Sequence, residues 1–234
     1  MLIIFDLDNT LIDRDAAFVA CLDHFLKKHD LVLSSVQMQK IIKKDDSGRY
    51  ERAQFCRFLS RFLPELTLTE EQVWTEFQQL PAFVQPNDTI NRVLMALSKQ
   101  HTLCLLSNGS STMQRAKLHN AQLPHIFDHV FISGEMGISK PDPQIFTAVL
   151  KHYHVKPIDC VMIGDDLVRD IEPAKAMGLH TIWVEAFMAK RMQQTPSHHR
   201  AQNNLSSHFS SHPPSHFRIG NALDLEEHII QCGI

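Results

Sequence analysis

Two aspartates spaced two apart, Asp6 and Asp8, stand in the run Asp6-Leu7-Asp8-Asn9-Thr10, directly after the apolar stretch Leu2-Ile3-Ile4-Phe5. In an extended chain residues i and i+2 face the same way, so both carboxylates can address one reacting centre, one attacking and the other exchanging protons. A turn or helix cap would use the same residues. Later, Gly164-Asp165-Asp166-Leu167-Val168-Arg169-Asp170 crowds three more carboxylates into six residues. Like charges at that spacing raise one another's pKa and are costly without a cation. Carboxylate oxygens are also the donors that a hard divalent ion takes.

Two further signals sit between these runs. Leu106-Ser107-Asn108-Gly109 ends an apolar stretch. It offers a hydroxyl and successive backbone N–H groups, suited either to phosphate oxygens at a helix start or to an ordinary cap. Lys140 precedes Pro141-Asp142-Pro143, with Pro143 placed as a first-turn helix residue. Alone, such a lysine reads equally as solvated surface.

The positioning elements follow from periodicity. Short apolar, β-rich runs at 2–7, 102–106, 129–132, 160–163 and 180–184 predict strands, and helical spacing of apolar residues at 112–121, 143–152 and 167–177 predicts helices between the later ones. Alternating strand and helix implies an α/β fold with a parallel sheet covered on both faces. Ligands of open α/β sheets bind at the carboxyl ends of the strands, where all four chemical signals fall. Residues 13–86 break the alternation and read as consecutive helices at 15–28, 36–44, 50–62 and 70–80. The expected division is thus a Rossmann-like core of residues 1–12 and 87–234 with an inserted all-helical domain, 13–86.

Taken together and in this order, the D-x-D-x-T run, the later Ser, the distant Lys and the G-D-D-x-x-x-D run resemble the haloacid dehalogenase superfamily phosphatases. The helical insertion matches the placement of that family's α-helical, C1-type cap. The resemblance implies a Mg²⁺-dependent phosphomonoester hydrolase in which Asp6 attacks phosphorus to give an aspartyl phosphate, and Asp8 protonates the leaving oxygen and then activates water. It further implies that Thr10 holds the first loop, Ser107 and Asn108 bind phosphoryl oxygens, and Lys140 offsets charge. Asp6, the Asp8 carbonyl and Asp165 would ligate Mg²⁺, with Asp166 and Asp170 in the outer shell. Counting charges supports that division: five carboxylates face one lysine and one divalent ion, so one group must carry a proton, and Asp8 is the expected one, with a raised pKa. An aspartate at that position points to phosphate esters, since by the same resemblance dehalogenases and phosphonate cleavers lack it. A phosphomutase of the same fold and a non-catalytic binding module are the competing readings. The resemblance suggests that Arg49 or Arg52 meets an anionic leaving group, Arg49 beside Gly48 at a loop tip being the expected one, while an exposed turn before a charged helix start is the alternative; Arg14 and Asp15 stand near a hinge.

Bulk properties fit a globular protein with a small-molecule partner. The chain has 234 residues, 44% hydrophobic and 21% charged, with a net charge of −3, which gives no field suited to nucleic acid or an anionic membrane. The five cysteines show no C-x-x-C spacing, so reduced core thiols in a cytoplasmic protein are expected. The start of the chain lacks a basic leader and no apolar run has the length of a membrane span. A monomer or weak homodimer is expected. The Ser/His-rich stretch 193–215, with His198, His199, His208 and His212, reads as a long loop before a final strand and helix.

Overall fold

The computed structural model describes residues 1–123 and 125–184 and the backbone of His216–Ile219. The first strand, β1 (Leu2–Phe5), is buried along its whole length, as a strand central to a parallel sheet must be. Its alternation still carries information: Ile3 and Phe5 pack into one hydrophobic cluster and Leu2 and Ile4 into the other. The next strands, β2 (Thr102–Ser107) and β4 (Cys160–Gly164), divide in the same way, with Leu103, Leu105, Val161 and Ile163 on the first face and Cys104, Leu106, Cys160 and Met162 on the second. With β3 (His129–Ile132), β5 (His180–Val184) and β6 (His216–Ile219) the described strands form one parallel six-stranded sheet in the order β3-β2-β1-β4-β5-β6. Strand order reverses beside β1, and the loops leaving β1 and β4 diverge there to open a crevice. The α/β parallel-sheet expectation holds.

Between β1 and β2 the chain runs through α1 (Arg14–Lys28), α2 (Ser35–Asp45), α3 (Arg52–Phe62), α4 (Glu70–Phe77) and α5 (Asp88–Leu97). The first four fall where helical periodicity places them. Ser34 and Thr69 start α2 and α4 with reciprocal side-chain and backbone hydrogen bonds to Gln37 and Gln72. The helix expected to run to Leu80 stops at Phe77 and continues as a 3₁₀ turn, Leu80–Phe83, because Pro81 removes an interior N–H. Helix α5, absent from the sequence expectations, buries Ile90, Leu94 and Leu97 against the same cluster as Ile3 and Phe5.

The remaining helices are α6 (Ser111–Asn120), α7 (Ser133–Met136), α8 (Pro143–Tyr153) and α9 (Glu172–Ala176). Instead of one helix over 167–177, a π-helical turn, Leu167–Ile171, precedes α9. Asp166 caps that turn through its Oδ1, and Pro173 lies in the first turn of α9. Cys21, Cys56, Cys104 and Cys160 are buried and unpaired, as expected for core thiols. No helix among the described residues is long and apolar enough to cross a membrane. The stretch 193–215, the helix expected after β6 and Cys232 lie outside the described residues.

The helical segment has its own aromatic centre. The Phe77 ring lies 5.2 Å from Phe25, 5.5 Å from Phe55 and 5.8 Å from Phe18, tying α1, α3 and α4 together. Truncating a buried aromatic loses its transfer energy and leaves a cavity. Phe77→Ala should therefore destabilise the chain by about 3–5 kcal/mol in denaturant unfolding; a loss below about 1 kcal/mol would show that α4 is not part of the cooperative core.

Candidate active site

The turn after β1 places the first pair of carboxylates. Asp6 N–H donates to the Ile163 carbonyl at 2.9 Å, which fixes the turn to the end of β4. Asn9 adopts φ 60°, a left-handed conformation that asparagine tolerates, and Thr10, Leu11 and Ile12 return N–H groups to the Leu7 carbonyl. Thr10 Oγ1 then donates to Asp6 Oδ2 at 3.1 Å. The expected loop-holding role of Thr10 thus has a specific contact.

Lys140, 4% exposed, reaches Asp6 from the loop before α8. Its Nζ donates to Asp6 Oδ1 at 2.7 Å and to the Leu106 carbonyl at 2.8 Å, and lies 2.6 Å from Asp170 Oδ1. Burial alone would lower its pKa, but the Asp170 and Asp6 charges overcome this and hold it above the ordinary lysine value. Asn108 holds the backbone of this lysine from both sides: its Nδ2 donates to the Lys140 carbonyl at 2.8 Å, and Lys140 N–H donates to its Oδ1 at 2.9 Å. The Asn108 side chain therefore positions Lys140, which leaves its backbone amide, the group expected on phosphoryl oxygens, out of this contact.

The crowding after β4 is also realised. Carboxylate oxygens of Asp6, Asp165 and Asp170 lie within 4.8 Å of one another. Burial and the charges of Asp6, Asp170 and Asp166 push Asp165 up to about 9. Burial and Asp6 push Asp170 up to about 7 against the pull of Lys140. Such a convergence of hard oxygen donors suits Mg²⁺. Asp170, expected in the outer shell, brings an oxygen into the same cluster as Asp165. Asp166 stays outside it: Oδ1 caps the π-helical turn and Oδ2 accepts from Arg49 Nη1 at 3.2 Å. Gly164 permits this packing, because a Cβ there would overlap the Asp170 carboxylate.

Asp8 departs from expectation. Its carboxylate accepts two bonds from Lys117 Nζ, both 2.8 Å, and one from Gln114 Nε2 at 3.0 Å. Burial would raise its pKa, but Lys117 and Gln114 reverse the shift and hold it below the ordinary aspartate value. The charge count that gave Asp8 a raised pKa omitted Lys117. Gln114 Nε2 also donates to Ser107 Oγ at 2.6 Å, and its Oε1 accepts from Lys117. Gln114 and Lys117 are 1% and 5% exposed and share the inward stripe of α6 with Leu118. Two polar residues at i and i+3 on a buried helix face were the available signal.

The helical segment closes the other side of the crevice. Arg14 makes a bidentate, buried pair with Asp45, its Nη2 donating to Oδ1 at 2.9 Å. Arg49 donates to Asp166 and, at 3.3 Å, to Asp46. It faces the site, with its charge engaged inside the protein. A cavity of about 330 Å³ lies between the two parts, with Asp6, Asp8, Lys140 and Asp165 at one end and Phe18, Trp74 and other apolar side chains of the helical segment at the other.

Residues 3–184 match the model of the haloacid dehalogenase-like hydrolases. The chain belongs to that family. It is 43% identical to phosphoserine phosphatase of Thermus thermophilus over 83 residues, 36% of this chain and 33% of that one, so this match spans a third of the relative's length. It is 27% identical to human N-acylneuraminate-9-phosphatase over 84% of this chain and 87% of that one. Its fold is that of a Bacillus subtilis haloacid dehalogenase-type hydrolase solved with bound magnesium, at TM-score 0.68 and 22% identity over 100% of this chain and 98% of that one.

The raised carboxylates make the site's stability depend on pH. Unfolded, Asp165 and Asp170 titrate near 3.8; folded, near 9 and 7. The protons are held more tightly in the folded state, so this contribution is full below the unfolded value and is lost as pH rises through 7 and then 9. Chelator-treated protein should melt at progressively lower temperature across that window, and Mg²⁺ should restore more stability at its upper end. A flat melting profile, indifferent to Mg²⁺, would contradict the cluster.

Proposed function

We propose that the chain is a Mg²⁺-dependent phosphatase of small phosphorylated metabolites, with Asp6 as nucleophile. The observation that carries this reading is Asp6 itself. It is buried at a strand end, with one oxygen held by Lys140, the other by Thr10, and the Asp165–Asp170 cluster beside it. The phosphatase activities named for the relatives support the same chemistry.

Asp6, Asp165 and Asp170, with the Asp8 backbone carbonyl, would hold the ion. When bound, Mg²⁺ supplies the positive charge that keeps the buried carboxylates ionised and offsets charge on the transferring group. A carboxylate oxygen of Asp6 bonds to phosphorus as the bond to the leaving oxygen breaks, and Asp8 gives that oxygen its proton. Water then attacks the aspartyl phosphate, Asp8 takes the water's proton, and the Asp6–phosphorus bond breaks to release phosphate. Lys117 and Gln114 hold Asp8 ionised in the resting state, which suits the second step. For the first, the arriving phosphoryl anion offsets Lys117 and raises the proton affinity of Asp8, which takes up a proton from solvent as the substrate binds and passes it to the leaving oxygen. Ser107 stands beside Gln114 at the end of β2, where it can receive a phosphoryl oxygen.

The helical segment serves as the cap. Arg49 bridges it to the acidic turn after β4 through Asp166, so closure and the reacting end are linked by one ion pair. The buried reduced thiols suit a cytoplasmic setting.

Phosphate release from a panel of phosphomonoesters tests the reading. We expect turnover with Mg²⁺, its abolition by EDTA, and loss of at least about a thousandfold in Asp6→Asn, since no neighbour can replace the nucleophile. Undiminished turnover in metal-free buffer, or in Asp6→Asn, would overturn it.

A further inference from the structure

The cations lining the cavity fall into two groups. Lys140, Lys117, Arg14 and Arg49 are each committed to carboxylates of the chain. Arg52 makes no ion pair with a carboxylate among the described residues; the Glu51 charge acts on it without contact. Its guanidinium carbon instead lies 3.8 Å from the centroid of the Trp74 ring, a stacked arrangement that guanidinium favours. The reason it is left unpaired is local. Both oxygens of the adjacent Glu51 accept backbone N–H groups at the start of α3, from Ala53 and Gln54. Glu70, the acid that opens α4, pairs with Arg57. Glu51 and Glu70 therefore make their contacts with other groups.

Trp74 supplies a second observation. Its indole N–H is buried and meets no acceptor, although a buried donor without a partner costs about 1–3 kcal/mol. Trp74 and Arg52 both line the cavity, at the end formed by the helical segment, alongside Phe55 and Leu80. This end thus offers an apolar wall and one cation without an ion pair. A guanidinium stacked on a ring by its face keeps the N–H groups of its edge for a planar, bidentate acceptor. One such cation matches a single negative charge better than a dianion. Arg169 is the other lining cation without an ion pair among the described residues, but it belongs to the turn that carries Asp165 and Asp166, at the reacting end.

We propose that Arg52, seated on Trp74, is the subsite for a carboxylate on the leaving group, so that the preferred substrates are phosphomonoesters of hydroxy acids. The assignment rests on the phosphatase reading above and adds the class of substrate to it. Arg52 is exposed on the first turn of α3, so its replacement leaves the core packing intact.

The test is kcat/KM, with Mg²⁺, for a matched pair: 3-phosphoglycerate, and glycerol 3-phosphate, which has a hydroxymethyl group in place of the carboxylate. Fructose 1,6-bisphosphate against fructose 6-phosphate adds a second phosphate instead, and p-nitrophenyl phosphate offers no second anion. For a charge-assisted contact the wild type should prefer the carboxylated member by about tenfold to a hundredfold. Arg52→Ala should lose most of that preference, and its loss on 3-phosphoglycerate should exceed its loss on p-nitrophenyl phosphate by about tenfold or more. Arg52→Lys, which keeps the charge without the fork, and Trp74→Phe, which leaves the guanidinium a smaller ring to stack on, should each fall between. If the wild type hydrolyses p-nitrophenyl phosphate but shows no carboxylate preference, the subsite is refuted while the phosphatase stands. The same holds if Arg52→Ala keeps the preference, or if the preference follows a second phosphate. If no ester is hydrolysed, the phosphatase reading falls and the subsite with it.

Discussion

The ammonium group of Lys140, buried where β1, β2 and β4 end, is the interaction on which the site depends. It touches Asp6, Asp170 and the Leu106 carbonyl at once, and so joins the turns after three adjacent strands. Two hydrogen bonds and an ion pair with Asp170 compensate the charge, which is the condition under which a buried ammonium is tolerable. Removing one member of a buried, hydrogen-bonded charge set leaves an uncompensated charge and costs about 3–5 kcal/mol. The backbone of the same lysine is fixed by Asn108, and the space for Asp170 is provided by Gly164. Positioning and charge compensation are here one arrangement.

A second cationic pair follows the same logic a few residues away. Lys117 and Gln114 project from α6 onto Asp8, and Gln114 continues to Ser107. The two carboxylates that share one face of the first turn thereby acquire different surroundings: Lys140 and the acidic cluster for Asp6, Lys117 and the Gln114 amide for Asp8. Different environments push paired carboxylates toward different roles. The helical segment completes the enclosure through Arg49 and Asp166, and its aromatic centre forms the apolar end of the cavity.

Much of this was legible in the sequence. Apolar runs marked five strands because central parallel strands are buried on both faces, and the chemical residues stood where those runs ended. Asp6, Thr10 and Lys140 were marked by residue type and by the order of the motifs, and their side chains meet, Thr10 within the first motif and Lys140 across 134 residues of chain. What escaped depended on long-range placement. Lys117 lies more than a hundred residues along the chain from Asp8, and nothing in its spacing to the first motif reveals the pair. Only polar residues on an otherwise buried helix stripe hinted at it. Arg49 and Arg52 were indistinguishable as neighbouring basic residues, because which of them is neutralised depends on whether Asp166, Glu51 and Glu70 are already occupied. Helix α5 escaped because its first residue, Asp88, closes the run from Pro81 whose prolines and polar residues signal a loop.

The central claim is that Asp6 forms a covalent bond to phosphorus. It is tested most directly by quenching the Mg²⁺-loaded protein in acid during turnover of a fast phosphate ester and mapping its peptides by mass spectrometry. The account predicts one phosphoryl group on the peptide carrying Asp6, accumulating further in Asp8→Asn, where hydrolysis of the intermediate is slowed. A phosphoryl group on any other residue, or phosphate release with no covalent intermediate at Asp6 in either protein, would contradict it.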